Sequence, residues 1–241
     1  MPRYWRGTGE IPWHWGRSVV TLGVFDGLHR GHLRVLRHAV ALGRERDLPV
    51  VLTTFDPHPA TIAGRPRDTT PVATLDQRAE LARDHGADAV LVLPFCPELA
   101  RTPAVDFVQD VLVRGLRATE VVVGGNFRFG HRGAGDVELL RKLGPRHGFR
   151  AHGVPLLPGC SSTRVRELVA AGDLRGAAAV LGRPHRVHGF ASAGVVDSGP
   201  ALLPPPGRYP VLAAGRRTVA EMTDRLRVRD LPEGPVELDF V

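Results

Sequence analysis

Near the N-terminus, Gly23-Val24-Phe25-Asp26-Gly27-Leu28-His29-Arg30-Gly31-His32 combines glycines, a carboxylate and two histidines three positions apart. Once a helical turn has begun, that spacing sends both imidazoles toward neighbouring positions on one face. Gly27 and Gly31 let the backbone come close to a ligand, and a helix opening here offers free N–H groups to an anion. Two imidazoles beside such a backbone suit the stabilisation of charge developing on a pentavalent phosphorus, as hydrogen-bond donors or as cations. Plainer roles compete: structural or solvent-exposed histidines, or a histidine pair on a metal. The turn has neither Gly-x-Gly-x-x-Gly nor the Gly-Lys-Ser/Thr ending of a P-loop. A phosphate site is the reading its setting favours.

That setting is a strand followed by a helix. From Ser18, Val-Val-Thr-Leu-Gly-Val-Phe is an apolar, β-branched run of the kind buried in parallel sheets. A helix is predicted from Gly31 to Arg46, with Leu33, Leu36, Ala39 and Val40 inward and Arg34, Arg37 and Arg44 toward water. Strands are then expected over Pro49–Phe55, Ala89–Leu93, Glu120–Gly124 and Arg150–Pro155. Helices are expected over Leu75–His85, Ala104–Arg114, Gly135–Gly144 and Ser162–Ala171, the last capped by Ser162 or Thr163. The alternation predicts an α/β fold: a Rossmann-like parallel sheet with helices on both faces. Around Arg183 the pattern gives way to short alternating stretches interrupted by Pro204-Pro205-Pro206-Gly207. They predict a small, degenerate β C-terminal module or a collapsed remnant of one. The expected division is 1–184, with an N-terminal arm 1–17, followed by 185–241.

Composition narrows the class further. The 241 residues are 43% hydrophobic and 24% charged, and Gly 28 and Pro 21 follow no period, which excludes collagenous and disordered chains. The formal net charge is +7, but of 32 basic residues Lys142 alone is lysine, and the arginines are scattered, without a basic arm or interleaved aromatics. No nucleic-acid partner is expected; the charge suits small anionic substrates instead. Cys96 and Cys160 allow at most one disulfide, no apolar run reaches the roughly 18 residues of a membrane span, and Met1–Gly16 lacks the apolar stretch of a signal peptide. A cytoplasmic protein without a membrane partner is expected, its oligomeric state open.

Three further blocks carry chemistry. Phe55-Asp56-Pro57-His58-Pro59 leaves a strand through two prolines, a rigid turn that aims His58 from the sheet edge or serves only as a turn. In Gly125-Asn126-Phe127-Arg128-Phe129-Gly130, Asn126 can donate and accept, and Phe127 and Phe129 would face opposite ways if extended. Asp136, just beyond, is a simple helix-cap candidate. Ser161-Ser162-Thr163-Arg164-Val165-Arg166 sets hydroxyls and arginines at a helix start, suited to a triphosphate or to capping with exposed arginines.

With these blocks in this order, residues 4 to 190 resemble the HxGH nucleotidyltransferases, and most closely the FMN adenylyltransferase module of bacterial bifunctional riboflavin kinase/FAD synthetases. The resemblance implies in-line attack of the FMN phosphate on the α-phosphorus of ATP, giving FAD and pyrophosphate. By this likeness His29, His32, Asn126 and Arg166 are the catalytic candidates. Gly23, Phe25, Asp26, Gly27, Gly31, Ser162, Thr163 and Arg166 would bind the nucleotide. His58, Pro59, Phe107, Asn126 and Phe129 would bind the acceptor, with Phe107 and Phe129 as isoalloxazine neighbours or plain core. Mg²⁺ would arrive with ATP and bridge phosphate oxygens, since no carboxylate cluster marks a protein metal site. The family's kinase barrel, with its Pro-Thr-Ala-Asn motif, has no counterpart after Gly189, so loss of riboflavin phosphorylation is expected. A sister enzyme passing AMP or CMP to another phosphate monoester, and a noncatalytic flavin or nucleotide binder, are the alternatives.

Overall fold

The computed structural model describes residues 4–62, 64 and 68–241, so the N-terminal arm is described from residue 4 onward. Its contacts divide the chain into two units. The N-terminal unit comprises the residues through Phe25, Gly31–Thr69 and Ala79–Leu157, and the C-terminal unit comprises Asp26–Arg30, Thr70–Arg78 and Pro158–Val241.

The N-terminal unit is built on a six-stranded parallel sheet: β1 (Trp5–Arg6), β2 (Ser18–Leu22), β3 (Val50–Asp56), β4 (Ala89–Pro94), β5 (Ala118–Gly124) and β6 (Arg150–Val154), in the order β1-β4-β3-β2-β5-β6. All five residues of β2 are buried, as a strand covered on both faces requires. Its register pairs Val20 with Val51 of β3 and with Val121 of β5. From β2 the sheet grows one way to β3 and β4 and the other way to β5 and β6. The carboxyl end of β2 is therefore the topological switch point, where open α/β sheets bind ligands. β1, two residues paired with Leu91 and Val92, is too short to have shown a period.

The chain enters α1 (Arg30–Arg46) from the turn that follows β2, and Leu33, Leu36, Ala39 and Val40 are buried as predicted. Further on come α2 (Pro59–Ile62), α3 (Leu75–Asp84), α4 (Pro97–Arg101) and α5 (Ala104–Phe107), which runs on as a π-helix over Val108–Gly115. Next, α6 (Val137–His147) starts two residues later than predicted, because the Asp136 side chain accepts from Leu139 N–H as its cap. Trp5, Val20, Leu91, Leu112, Val121 and Leu140 belong to one apolar core.

Besides Asp26–Arg30 and Thr70–Arg78, the C-terminal unit takes in the chain from Pro158 onward, ahead of the compositional change at 184/185. The reason is packing. Val165, Leu168 and Val169 of α7 (Ser162–Ala170) and Leu174, Ala177 and Leu181 of α8 (Leu174–Leu181) share one apolar cluster with Val187, Val211, Leu238 and Phe240. Those last four lie on strands β7 (His185–Ser192), β9 (Gly207–Ala213) and β12 (Gly234–Phe240), which with β8 (Val195–Asp197), β10 (Arg216–Met222) and β11 (Leu226–Val228) close an antiparallel barrel. The order is β10-β11-β8-β7-β12-β9, so the small β module is closed and not collapsed. Alternation fills it: Val211 and Ala213, and Leu238 and Phe240, point inward two residues apart.

Candidate active site

Between β2 and α1 the backbone passes through left-handed positions at Phe25 (φ 49°), Gly27 (φ 77°) and Leu28 (φ 36°). For non-glycine residues such angles cost about 1–3 kcal/mol each and persist where surrounding structure enforces them. Any other residue at Gly27 would be strained, by its φ and because a Cβ there would meet Val72 Cγ1 at 2.6 Å.

Within the C-terminal unit, the enforcing groups come from distant sequence. The Asp26 carboxylate accepts from Val72 N–H at 2.9 Å and from the Arg166 guanidinium, and both side chains are about 5% exposed. Burial pushes the Asp26 pKa up, against the pull of the Arg166 and Arg78 charges and the Val72 and Ala73 N–H groups. Arg166 Nε also donates to Thr70 O at 2.8 Å, and Ser162 Oγ donates to Asp26 O at 2.9 Å. Arg183 donates from Nη2 to Gly27 O at 2.6 Å and from Nη1 to Leu28 O at 3.3 Å.

Three expectations change here. Arg166 is 4% exposed and grips the turn, where the sequence suggested an open phosphate ligand; the planar guanidinium matches a buried carboxylate better than any other cation does. The cap of α7 is Ser161, whose Oγ accepts from Arg164 N–H at 3.1 Å, which leaves Ser162 for Asp26 and Thr163 exposed on the first turn. His29 is 5% exposed, and burial, followed by the Arg183 charge, pulls its pKa down to about 4. At neutral pH it is an uncharged imidazole, a hydrogen-bonding group and not a cation.

The N-terminal unit positions the other candidates. A Cβ at Gly23 would crowd the Phe25 ring at 3.1 Å, and the His32 ring meets the same ring edge-on at 5.3 Å. His32 and Gly31 lie in the first turn of α1, both partly exposed. Thr54 Oγ1 donates to Val24 O at 2.7 Å, tying the exit of β2 to β3. His58 Nδ1 accepts from Ala60 N–H at 3.0 Å, so this ring organises the Pro59 turn as well as standing half-open beside it.

Asn126 is exposed in a turn after β5. Phe127 and Phe129 do not face opposite ways. The chain turns at Gly125-Asn126, and the two rings stack at 5.7 Å and 16°, with Phe107 at 5.6 Å from Phe129. Phe107 and Phe129 are 4% and 6% exposed in the apolar core, leaving Phe127 as the half-open ring. His58 and Asn126 stand on separate loops, after β3 and after β5. Sequence reading missed Arg183, Thr70 and the Val72-Ala73 backbone; Arg183, between Gly182 and Pro184 at a helix end, offered only a basic residue in a turn.

The donor set does not suit a protein-held Mg²⁺. Asp26, the carboxylate of the turn, is buried and committed to Arg166 and two N–H groups.

The family model for FAD synthetase matches residues 11–166. The bifunctional riboflavin kinase/FMN adenylyltransferase of Escherichia coli (strain K12) is 34% identical over 175 residues, 71% of this chain and 56% of that one. The protein of the same description from Pseudomonas fluorescens is 36% identical over 182 residues, 74% of this chain and 58% of its own. This chain thus aligns with little more than half the length of these curated relatives. In fold, the crystal structure of a macrolide-efflux protein from Streptococcus pneumoniae superposes with a TM-score of 0.81, covering 97% of this chain and 87% of that one at 22% identity. On the family match, with the His29–His32 turn at the switch point of its sheet, the chain belongs to the FAD synthetase family.

Proposed function

We propose that the protein is an FMN adenylyltransferase, transferring AMP from ATP to FMN and releasing pyrophosphate, without riboflavin kinase activity in this chain. The observation that carries this reading is the strained, buried turn Phe25–His29 at the carboxyl end of β2, opening directly into α1. A helix start presents N–H groups to a phosphate, and His32 on its first turn supplies a donor to an oxygen that gains charge in the transition state. The transfer is in-line: the FMN phosphate oxygen bonds to the α-phosphorus as the bond to the bridging oxygen of pyrophosphate breaks. No covalent enzyme intermediate is needed, so the protein acts by positioning and charge stabilisation.

In this reading His29 contributes as a neutral hydrogen-bonding group, and at the start of α7 Thr163 offers its hydroxyl and Ser162 its backbone N–H to the β- and γ-phosphates, the Ser162 hydroxyl proton being given to Asp26 O. Arg166 acts through Asp26, with its buried Nη1 left without a hydrogen-bond partner among the described residues. Asn126 orients the acceptor phosphate and Phe127 offers a ring face to the flavin, with His58 and Pro59 at the acceptor side. The proposed modules are a transferase part over 1–184 and a barrel over 185–241 derived from a riboflavin kinase. The absence of Pro-Thr-Ala-Asn after Gly189 supports the missing kinase step. Among the described residues no helix is long and apolar enough to cross a membrane, and Cys96 and Cys160 are free thiols. These fit a cytoplasmic enzyme of small-molecule substrates with no nucleic-acid partner. The test is FAD formation from MgATP and FMN, with riboflavin as the inert control; FAD made from riboflavin and MgATP would refute the missing kinase step.

A further inference from the structure

The C-terminal unit contains the barrel and, by its contacts, also Asp26–Arg30 of the phosphate turn. Arg183 joins them. It stands between α8, which ends in the left-handed Gly182 (φ 81°), and β7, the first barrel strand. Its two hydrogen bonds go to the carbonyls of Gly27 and Leu28, which precede the first residue of α1.

Those carbonyls present partial negative charge beside a seat for a polyanion. A guanidinium donating to both fixes their direction and offsets that charge. No carboxylate forms an ion pair with Arg183 among the described residues. The charged groups around it are Arg186, which opposes it, and Asp239, which favours it. Asp239 is itself held in a two-pronged pair by Arg186 at 2.6 and 2.7 Å. Burial and Arg186 pull the Arg183 pKa down to about 10, so it stays cationic at neutral pH.

The barrel holds the segment that carries this residue. His185 is 1% exposed and its Nε2 lies 2.8 Å from Leu202 O. The Arg186 carbonyl accepts from Gln77 Nε2 at 3.1 Å, and seven residues of β12 pair with β7.

Resting on the nucleotidyl-transfer reading, we propose that Arg183 is a positioning residue for the nucleotide phosphates, anchored by the barrel, and that in this chain the barrel supports transfer chemistry at the phosphate turn. Arg183 touches no reacting atom; it acts through the turn and through the positive charge it brings there.

The experiment uses the full chain and the variants R183Q, R183K and, as a surface control on β9, R208Q. In R183Q the His29 imidazole, followed by NMR on isotope-labelled protein, titrates upward by about one pH unit, because a like charge has been removed. KM for MgATP rises at least about tenfold and its salt dependence weakens, while KM for the acceptor stays within about twofold. R183K, which keeps the charge and loses the fork, restores the His29 titration but only part of the MgATP affinity. R208Q matches the parent throughout. A folded R183Q with unchanged His29 titration and unchanged MgATP affinity overturns the proposal, as does full equivalence of R183K in all three readouts. If R183Q does not fold, R183K decides. The His29 titration and equilibrium MgATP binding need no turnover, so failure of the adenylyltransferase reading, seen as an inactive parent, is separable from failure of this one.

Discussion

The turn Asp26–Arg30 and the loop Gly125–Gly130 both follow strands of the central sheet and both were singled out by residue type, yet they are built in opposite ways. In the turn, Asp26 and His29 are buried, two carbonyls are taken by Arg183 and one by Ser162, and a salt bridge closes the underside. In the loop, backbone bonds, Gly125 N–H to Val154 O at 2.8 Å and a two-way pairing of Phe129 with Gly135, are joined by a surface ion pair of Arg128 with Asp136 at 3.1 Å. Asn126 and Arg128 remain exposed. A transition state with a fixed charge pattern calls for a preorganised seat, whereas an acceptor is recognised by side chains that can differ without disturbing the fold. On the proposed function, the phosphate chemistry sits deep in packing and acceptor choice lies near the surface.

Substitutions should reproduce that contrast. Arg166→Met leaves the Asp26 carboxylate buried without its cation and should cost about 3–5 kcal/mol of stability, read by urea unfolding. Acidification acts on the same region. His29, near 4 when folded and 6.5 when unfolded, takes up a proton only in the unfolded chain between those values. Stability should therefore fall as pH drops from about 6.5 to 4, by about 3 kcal/mol in total, and be indifferent to His29 above that window. Burial shifts His185 the same way and adds to the decline. Asp26 acts in the opposite direction, since its raised pKa makes the folded chain take up that proton first, so unfolding midpoints at pH 7, 5.5 and 4.5, measured beside His29→Gln, isolate the His29 slope.

Gly27→Ala, strained by φ 77° and by Val72 at 2.6 Å, should cost about 1–3 kcal/mol and lower transfer activity with it. Asn126→Ala is the smallest perturbation of the fold, within about 0.5 kcal/mol, but it should raise KM for the acceptor and leave KM for MgATP alone. If Asn126→Ala destabilised the protein as much as Arg166→Met, the contrast between turn and loop would be void.

The sequence made the positions of these two regions legible, and less of their construction. Apolar, β-branched runs such as Val50–Phe55 and the helical spacing of Leu33, Leu36 and Val40 placed α1 and β3 within a residue or two and the start of β2 at Ser18, while β2 ends at Leu22, three residues before the Phe25 expected. Helix α8 escaped because Leu-Arg-Gly-Ala-Ala-Ala-Val-Leu has almost no polar face to set a period; its signals were Asp173 as cap and Gly182 as stop. Barrel closure was hidden by three- and seven-residue strands amid prolines. Arg166 misled because arginine is rarely buried, and only the fold brings Asp26 within its reach, 140 residues away in the chain. Long-range partners of a buried charge have no local pattern, which is also why Arg183 went unread.

The most direct measurement is pyrophosphate release and product identity for the purified chain with MgATP or MgCTP against FMN, riboflavin and other phosphate monoesters, beside His32→Ala. The account predicts FAD from ATP and FMN, no turnover of riboflavin, and a loss of at least about 100-fold in kcat/KM for His32→Ala. Turnover confined to another donor and acceptor, or activity indifferent to His32, would contradict it.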